Sequence, residues 1–289
     1  MQIIINGFIS GLTISTLALA FAVVYVPTRV FHIAIGGIYA AIPFIAMACL
    51  SLGLHFSVAI VVAVISGVLL SILCEGLNHY PLEKRGAPVA VHLVSSLGIY
   101  IVIVQVIGLV WGDDVRALRT RIDGVVEAGN IVLTHAQVIT IIVSLVLLVS
   151  FYLWLQYTRL GLHFRALANN PREFVLRGYN VRRFRLLAFG MSGVLCAGSA
   201  LVVSYDIGFD PHVGFAVVLQ AIVAVIIGGK DSFFGPILGG ALLGLIRSNV
   251  VWFLSARWEA AITFLVLIVL LHVRPRGLLG KQAGLEAAQ

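Results

Sequence analysis

An all-α polytopic membrane fold with about eight to ten spanning helices is predicted for this chain by three observations. Of its 289 residues, 61% are hydrophobic and only 11% are charged, and the mean hydropathy of +1.08 lies far outside the range of a water-soluble domain. The charges leave long uncharged runs, residues 1–28, 30–74, 86–112, 128–158, 186–205, 211–229, 232–246 and 260–273, most of them long enough for a spanning helix of roughly 20 residues. These runs do not alternate polar with apolar residues, so they do not read as strands of a closed barrel, the other architecture that satisfies its backbone polar groups in lipid.

Taken in order, the first run predicts a helix over 3–27; it lacks a basic leader and an A-x-A-like cleavage site, so it is read as a retained span rather than a secretory signal. The run 30–74 holds two spans, 33–51 and 56–74, broken at Leu52-Gly53. A fourth, 92–111, follows HYPLEKRGAP, and a fifth covers 136–156. The sixth, 184–204, leaves a strongly basic loop, and short spans at 214–229 and 258–273 flank an eighth at 235–254. The whole of 1–289 is read as a single transmembrane domain with one long loop, 157–183.

Charge orients the bundle. Arginines 159, 165, 172, 177, 182, 183 and 185 face a single acid, Glu173, so this loop is expected in the cytoplasm. With nine spans, Lys84, Arg85, Arg274, Arg276 and Lys281 fall on the same side, and the C-terminus is cytoplasmic. The loop 112–135, with Asp113, Asp114, Asp123 and Glu127 against Arg116, Arg119 and Arg121, then lies outside with Asp206, Asp210 and the uncharged N-terminus. The basic total is thus read as a topology signal rather than a nucleic-acid surface.

Inside the basic loop, NPREFVLRGYN carries its own start and stop signals. Asn170 is placed to cap a helix, Pro171 takes its first position, Glu173 has capping-box spacing, and Gly178 stands where the helix should end. So short a helix is unstable alone, and Phe174 and Val175 predict a surface against which it docks.

Glycines dominate GGKDSFFGPILGGALLG. Gly228 and Gly229 precede the eighth span, Gly235 lies four residues before Gly239, and Gly240 four before Gly244, the small-xxx-small spacing of close helix approach. The same stretch fails as a phosphate loop, because Ala224 stands where the first glycine is required and Asp231 replaces the Ser or Thr; no ATP binding is expected in this chain.

Catalysis and metal binding find no support in the sequence. Cys49, Cys74 and Cys196 lack metal spacing, and none of the eight histidines has a ligand partner three or four residues on. Polar residues within the spans are candidates for lining a pathway: Thr13 and Thr16 in the first, Ser95, Ser96 and Gln105 in the fourth, although Ser and Thr in membrane helices often bond to backbone carbonyls instead. Arg247 is a cation within its span, where it either snorkels, pairs with a partner, or faces the pathway. With so few charges in the spans, a narrow, largely apolar pathway for a small neutral or zwitterionic solute is expected. A self-sufficient secondary carrier is the rival class, but such carriers usually place paired ionisable groups at the midplane.

RALANNPREFVLRGYNVRRFRLLAFGMSGVLCAGSALV, then AIVAVIIGGKDSFFGPILGGALLG and VRPRGLLG, together with HYPLEKRGAP and LVWGDD, resemble the LivH-like permease subunits of branched-chain amino acid ABC importers over nearly the whole chain. The resemblance implies a multi-pass protein of the bacterial inner membrane, a second related permease subunit, two cytoplasmic ATPase subunits that hold the ATP and Mg, and a periplasmic substrate-binding protein. It also makes 157–183 the coupling loop: Asn170 to Gly178 would dock on an ATPase, Phe174 and Val175 entering a cleft and Arg165, Arg172 and Arg177 meeting its rim. Relatives of this type handle branched-chain and other hydrophobic amino acids, urea and short amides. The segment FHIAIGG departs from the family's INFAHGE, with His32, Ile35 and Gly37 in place of Asn, His and Glu, and Arg247 stands where relatives often have an acid.

Overall fold

A computed structural model describes residues 1–119, 124–128, 131–274 and 277–279; Arg121, Asp123, Arg276 and Lys281 of the charge pattern lie outside them. The helices are α1 (Gln2–Thr28), α2 (Ile35–Ser51), α3 (Phe56–Cys74), α4 (Tyr80–Lys84), α5 (Val89–Trp111), α6 (His135–Tyr157), α7 (Arg159–Asn169), α8 (Pro171–Leu176), α9 (Val181–Asp206), α10 (Val213–Gly228), α11 (Gly235–Phe253) and α12 (Glu259–Val273). A two-stranded antiparallel hairpin, β1 (Val125–Ala128) and β2 (Ile131–Thr134), lies in what the sequence presents only as a loop.

Seven stretches of the described residues are helical, long and apolar enough to cross a membrane, and the shorter α2 and α10 are apolar as well. Each of the nine expected spans is thus met by a helix. The third differs in length: a π turn, Glu75–His79, carries α3 into α4, and the continuous stretch is Phe56–Lys84. Glu75 does not end the helix because its charge is answered internally by Arg185 on α9, whose Nε lies 2.5 Å from Glu75 Oε1.

The chain's first helix is its core. In α1, 83% of the most apolar window is buried, against 6% for the stretch Ala256–Val273, which lies at the periphery. α1 is packed by α6, α9, α10 and α11, while lipid can cover the apolar outer helices. The glycines of α11 serve two neighbours. A Cβ at Gly240 would stand 2.5 Å from the Ser15 backbone and one at Gly244 would collide with Gly11, both on α1; one at Gly239 would strike the Ala224 carbonyl of α10. Gly228 and Gly235 meet backbone to backbone across the α10–α11 turn, where Gly229 takes φ +112°. These contacts bring helix axes within backbone reach, which no larger residue would permit.

Segments between helices gather at two ends. At one, Gln2 Nε2 donates to the Val132 carbonyl at 2.9 Å, Arg116 pairs backbone to backbone with Phe209, and His212 lies 3.3 Å from Asp113. At the other, Arg29 meets Asp231 at 2.7 Å, Arg185 meets Glu75 and Glu83, and the Leu278 N–H reaches the Ile227 carbonyl at 2.8 Å. Loops that an odd number of crossings assigns to one side are the loops that touch.

Candidate functional site

At the end that carries the N-terminus, a cavity of about 450 Å³ opens among α1, α2, α6, α9, α10 and α11. Asn6, Ser10, Thr13, Gln137, Thr140 and Gln220 line it beside Arg247 and Asp206, within a wall whose larger part is apolar. α1 contributes three of these groups, α6 two, and α9, α10 and α11 one each, so each span reads as apolar and the polar groups meet only where the helices converge.

Of the sequence-predicted pathway residues, Thr13 and Arg247 line this cavity and four others do not. Thr16 is fully buried and donates to the Leu12 carbonyl at 2.8 Å. Ser96 accepts from the Ala34 N–H at 2.8 Å, holding the α1–α2 turn, and Ser95 donates to Asn78. Gln105 is exposed on the outer face of α5. Hydroxyl groups at Thr16, Ser95 and Ser96 answer internal polar groups, the commoner use of Ser and Thr in a membrane helix.

Arg247 is paired within the chain. Its Nε lies 2.9 Å from Glu259 Oε1 on α12, its Nη1 lies 3.4 Å from Gln220 Oε1 on α10, and Gln220 Nε2 donates to the same Glu259 oxygen at 2.9 Å. The cation therefore both lines the cavity and has its charge answered, which is how it is tolerated inside a spanning segment.

The opposite end carries α7 and α8. Asn170 Oδ1 accepts from the Glu173 N–H at 3.3 Å, and Asn170 Nδ2 donates to Glu173 Oε1 at 2.9 Å. Glu173 meets the cap's side chain rather than its backbone, because the Asn170 N–H is already bonded to the Ala166 carbonyl as the end of α7. Pro171 opens α8, Arg177 ends it, and Gly178 turns the chain with φ +81°. Arg172 and Arg177 are exposed, while Arg165 Nη1 donates to Gln156 at 2.9 Å.

Phe174 requires a correction. It is 2% exposed, stacked on Tyr179 at 4.9 Å and edge-on to Phe184 of α9 at 5.2 Å, so it anchors α8 to its own chain and is not free to enter a partner's cleft. The apolar groups turned outward are Val175, 55% exposed, and Leu176, 85% exposed. Leu176 was missed because helical spacing alone does not tell which face of a two-turn helix is taken by its own chain.

Two buried clusters at this end were also missed. Arg185, 4% exposed, is held by Glu75 Oε1 and Oε2 and by Glu83. His79 places Nε2 3.4 Å from His32 Nδ1 and Nδ1 3.3 Å from His92 Nδ1. The three rings form a chain rather than a common centre, and among the described residues no group of His, Cys, Asp or Glu is arranged to hold a metal ion. Burial lowers the His32 pKa to about 3, so this ring is neutral. An acid ending an otherwise uncharged run, as Glu75 does, was the one signal available for either cluster.

Comparison with known proteins covers nearly the whole chain. The family model described as branched-chain amino acid transport system / permease component matches residues 3–271. The high-affinity branched-chain amino acid transport system permease protein BraD of Pseudomonas aeruginosa is 26% identical over 97% of this chain and 96% of its own length. LivH of Escherichia coli K12, with the same description, is 25% identical over the same shares. The probable branched-chain amino acid transport permease protein LivH of Methanocaldococcus jannaschii is 24% identical over 91% of this chain and 87% of its own. No solved structure matches the chain. With its apolar helices and a family match across nearly its whole length, the chain is a multi-pass membrane protein that belongs to the family of branched-chain amino acid transport system permease components.

Proposed function

We propose that this chain is the permease subunit of an ATP-driven importer of the inner membrane for amino acids of the branched-chain or other hydrophobic type, working with a second permease, two cytoplasmic ATPase subunits and a substrate-binding protein. The observation that carries the reading is the pairing of a cavity lined by both polar and apolar groups at one end with a locally capped helix at the other whose Val175 and Leu176 side chains are turned outward. In the cavity, Arg247 and Asp206 both contribute to the lining, so a zwitterion there would meet a cation and an anion among its neighbours. At the other end, α8 is the coupling helix: its cap and its Phe174 anchor hold it rigid against α9, so a push on Val175 and Leu176 is passed to a spanning helix.

A second cargo has an observation in its favour. Glu259 already answers Arg247, leaving a wall rich in Asn, Gln, Ser and Thr that suits urea or a short amide. Uptake of labelled leucine and of urea by the importer in ATP-loaded liposomes separates the two. In the same assay Val175→Ala with Leu176→Ala is expected to lower ATPase capture and cargo-stimulated hydrolysis by about ten-fold while leaving the melting temperature unchanged, since two outward apolar contacts with a partner would be lost. Normal coupling in that double variant would remove the docking role of α8.

A further inference from the structure

The first turn of α9 holds two neighbours on adjacent residues. Phe184 is edge-on to Phe174 of α8 at 5.2 Å, and the next residue, Arg185, is buried against the end of α3. All three of its guanidinium nitrogens are taken: Nε lies 2.5 Å from Glu75 Oε1, Nη2 donates to Glu75 Oε2 at 3.1 Å, and Nη1 meets Glu83 of α4. Glu75 opens the π turn, and such turns within a helix are frequent at functional sites. Beyond the ion pair the two helices are keyed together at four-residue steps that run in opposite directions. Ser71 Oγ donates to the Phe189 carbonyl at 2.7 Å, and a Cβ at Gly193 would stand 2.7 Å from the Gly67 carbonyl oxygen. These ties occupy the buried stripe of α3, Ala59, Ala63, Gly67, Ser71 and Cys74, while Val61, Ile65, Leu69 and Leu73 are exposed. A buried ion pair adds little net stability, because desolvation offsets its attraction, and apolar groups can often replace it. Its two-pronged geometry instead fixes how one helix end sits on the other.

We propose that Arg185 is a positioning residue of the transport cycle: it clamps the end of α3 to the start of α9, so that a displacement of α8 received at Phe184 moves α3 and α9 as one body. The inference rests on the permease reading above and deepens it. From the clamp α9 runs to the cavity, which it lines with Ser199, Val203 and Asp206. α3 packs along α2, a second helix that borders the cavity. A push on α8 thus reaches the cavity by two helices, whereas an unclamped α3 would leave it to α9 alone. Glu75 closes the clamp from the interior, and the half-exposed Glu83 closes it from the solvent side.

The test uses the complete importer in liposomes with saturating loaded binding protein and with leucine and urea as the probes. Arg185→Met with Glu75→Leu replaces the pair by apolar side chains, a change that a purely structural ion pair tolerates. The expected result is a melting temperature close to that of the unsubstituted protein and unchanged ATPase capture, with solute moved per ATP hydrolysed lower by about ten-fold, within the usual range of coupling between sites. Arg185→Lys keeps the charge without the fork and should recover part of the loss. Normal transport per ATP in the apolar pair, or a loss that merely follows a lower melting temperature, would overturn the clamp. A second measurement does not depend on that variant folding. With Cys49, Cys74 and Cys196 replaced by alanine, Gly67→Cys and Ala197→Cys bring two thiols together, since a Cβ at Gly67 would stand 3.3 Å from the Ala197 Cβ, close to the spacing of a disulfide. Oxidising this pair should leave uptake equal to that of the same protein in dithiothreitol, because the two helices do not part. Loss of uptake that dithiothreitol reverses would overturn the one-body motion. Absence of ATP-dependent uptake of either solute by the unsubstituted importer would remove the permease reading and the clamp with it, an outcome distinct from normal coupling in the variant.

Discussion

Arg247 shows how a single charge in a span is made tolerable and useful at once. Its guanidinium is fixed by a carboxylate from α12 and an amide from α10, and it still faces the cavity. Arg247→Ala would leave Glu259, 17% exposed, bonded to the Gln220 amide but without its cation. Because the pair is partly open to solvent, the loss of stability is expected to be modest, about 1 kcal/mol. Membrane insertion should survive, and uptake should fall several-fold because the cavity loses its cation. Adding Glu259→Gln should recover the melting temperature without recovering uptake; recovery of both would assign Arg247 to packing alone. The sequence singled this residue out by its position in an apolar run, but its partners, 27 and 12 residues away, were beyond any local rule.

At the scale of elements, α8 is the clearest case of local encoding completed by tertiary contact. Asn170, Pro171, Glu173 and Gly178 specify a short helix and its ends from eleven residues of sequence, and the helix is there. Which side it presents was decided by α9, whose Phe184 takes Phe174 and leaves Val175 and Leu176 outward. Phe174→Ala empties a buried aromatic site and is expected to lower stability by about 3 kcal/mol or more if α8 cannot collapse onto the gap, freeing the helix from α9. Limited proteolysis should then cut between Asn170 and Gly178 in the variant and not in the unsubstituted protein. Equal resistance to protease would mean that α8 is held by something other than Phe174.

For the whole molecule, the alternation of the nine apolar helices among the described residues puts the α10–α11 turn and the α11–α12 turn at opposite ends of the bundle. By the charge bias the first is expected in the cytoplasm. The native thiols Cys49, Cys74 and Cys196 are all buried, which leaves a low background for surface labelling. Lys230→Cys and Ala256→Cys, both exposed positions, should therefore react with an impermeant maleimide from opposite sides, Ala256→Cys in intact cells and Lys230→Cys only after the membrane is opened. Reaction of both in intact cells would invalidate the crossing number, and a reversed pattern would invert the orientation.

Composition and run length alone determined that this chain crosses the membrane in helices, and roughly where, because a bilayer enforces apolar length whatever the partners are. Small-residue spacing marked α11 as a close-packing helix, and local caps marked α8, since both depend on neighbours within four residues. Tertiary structure decided the rest. The cavity is assembled from side chains of six helices, and the His32, His79 and His92 chain joins residues up to 60 positions apart. The ion cluster of Glu75, Glu83 and Arg185 carries a helix past its expected end. None of these has a sequence period, because in lipid the apolar surface says where a helix can lie but only helix-to-helix packing says which of its few polar groups will meet.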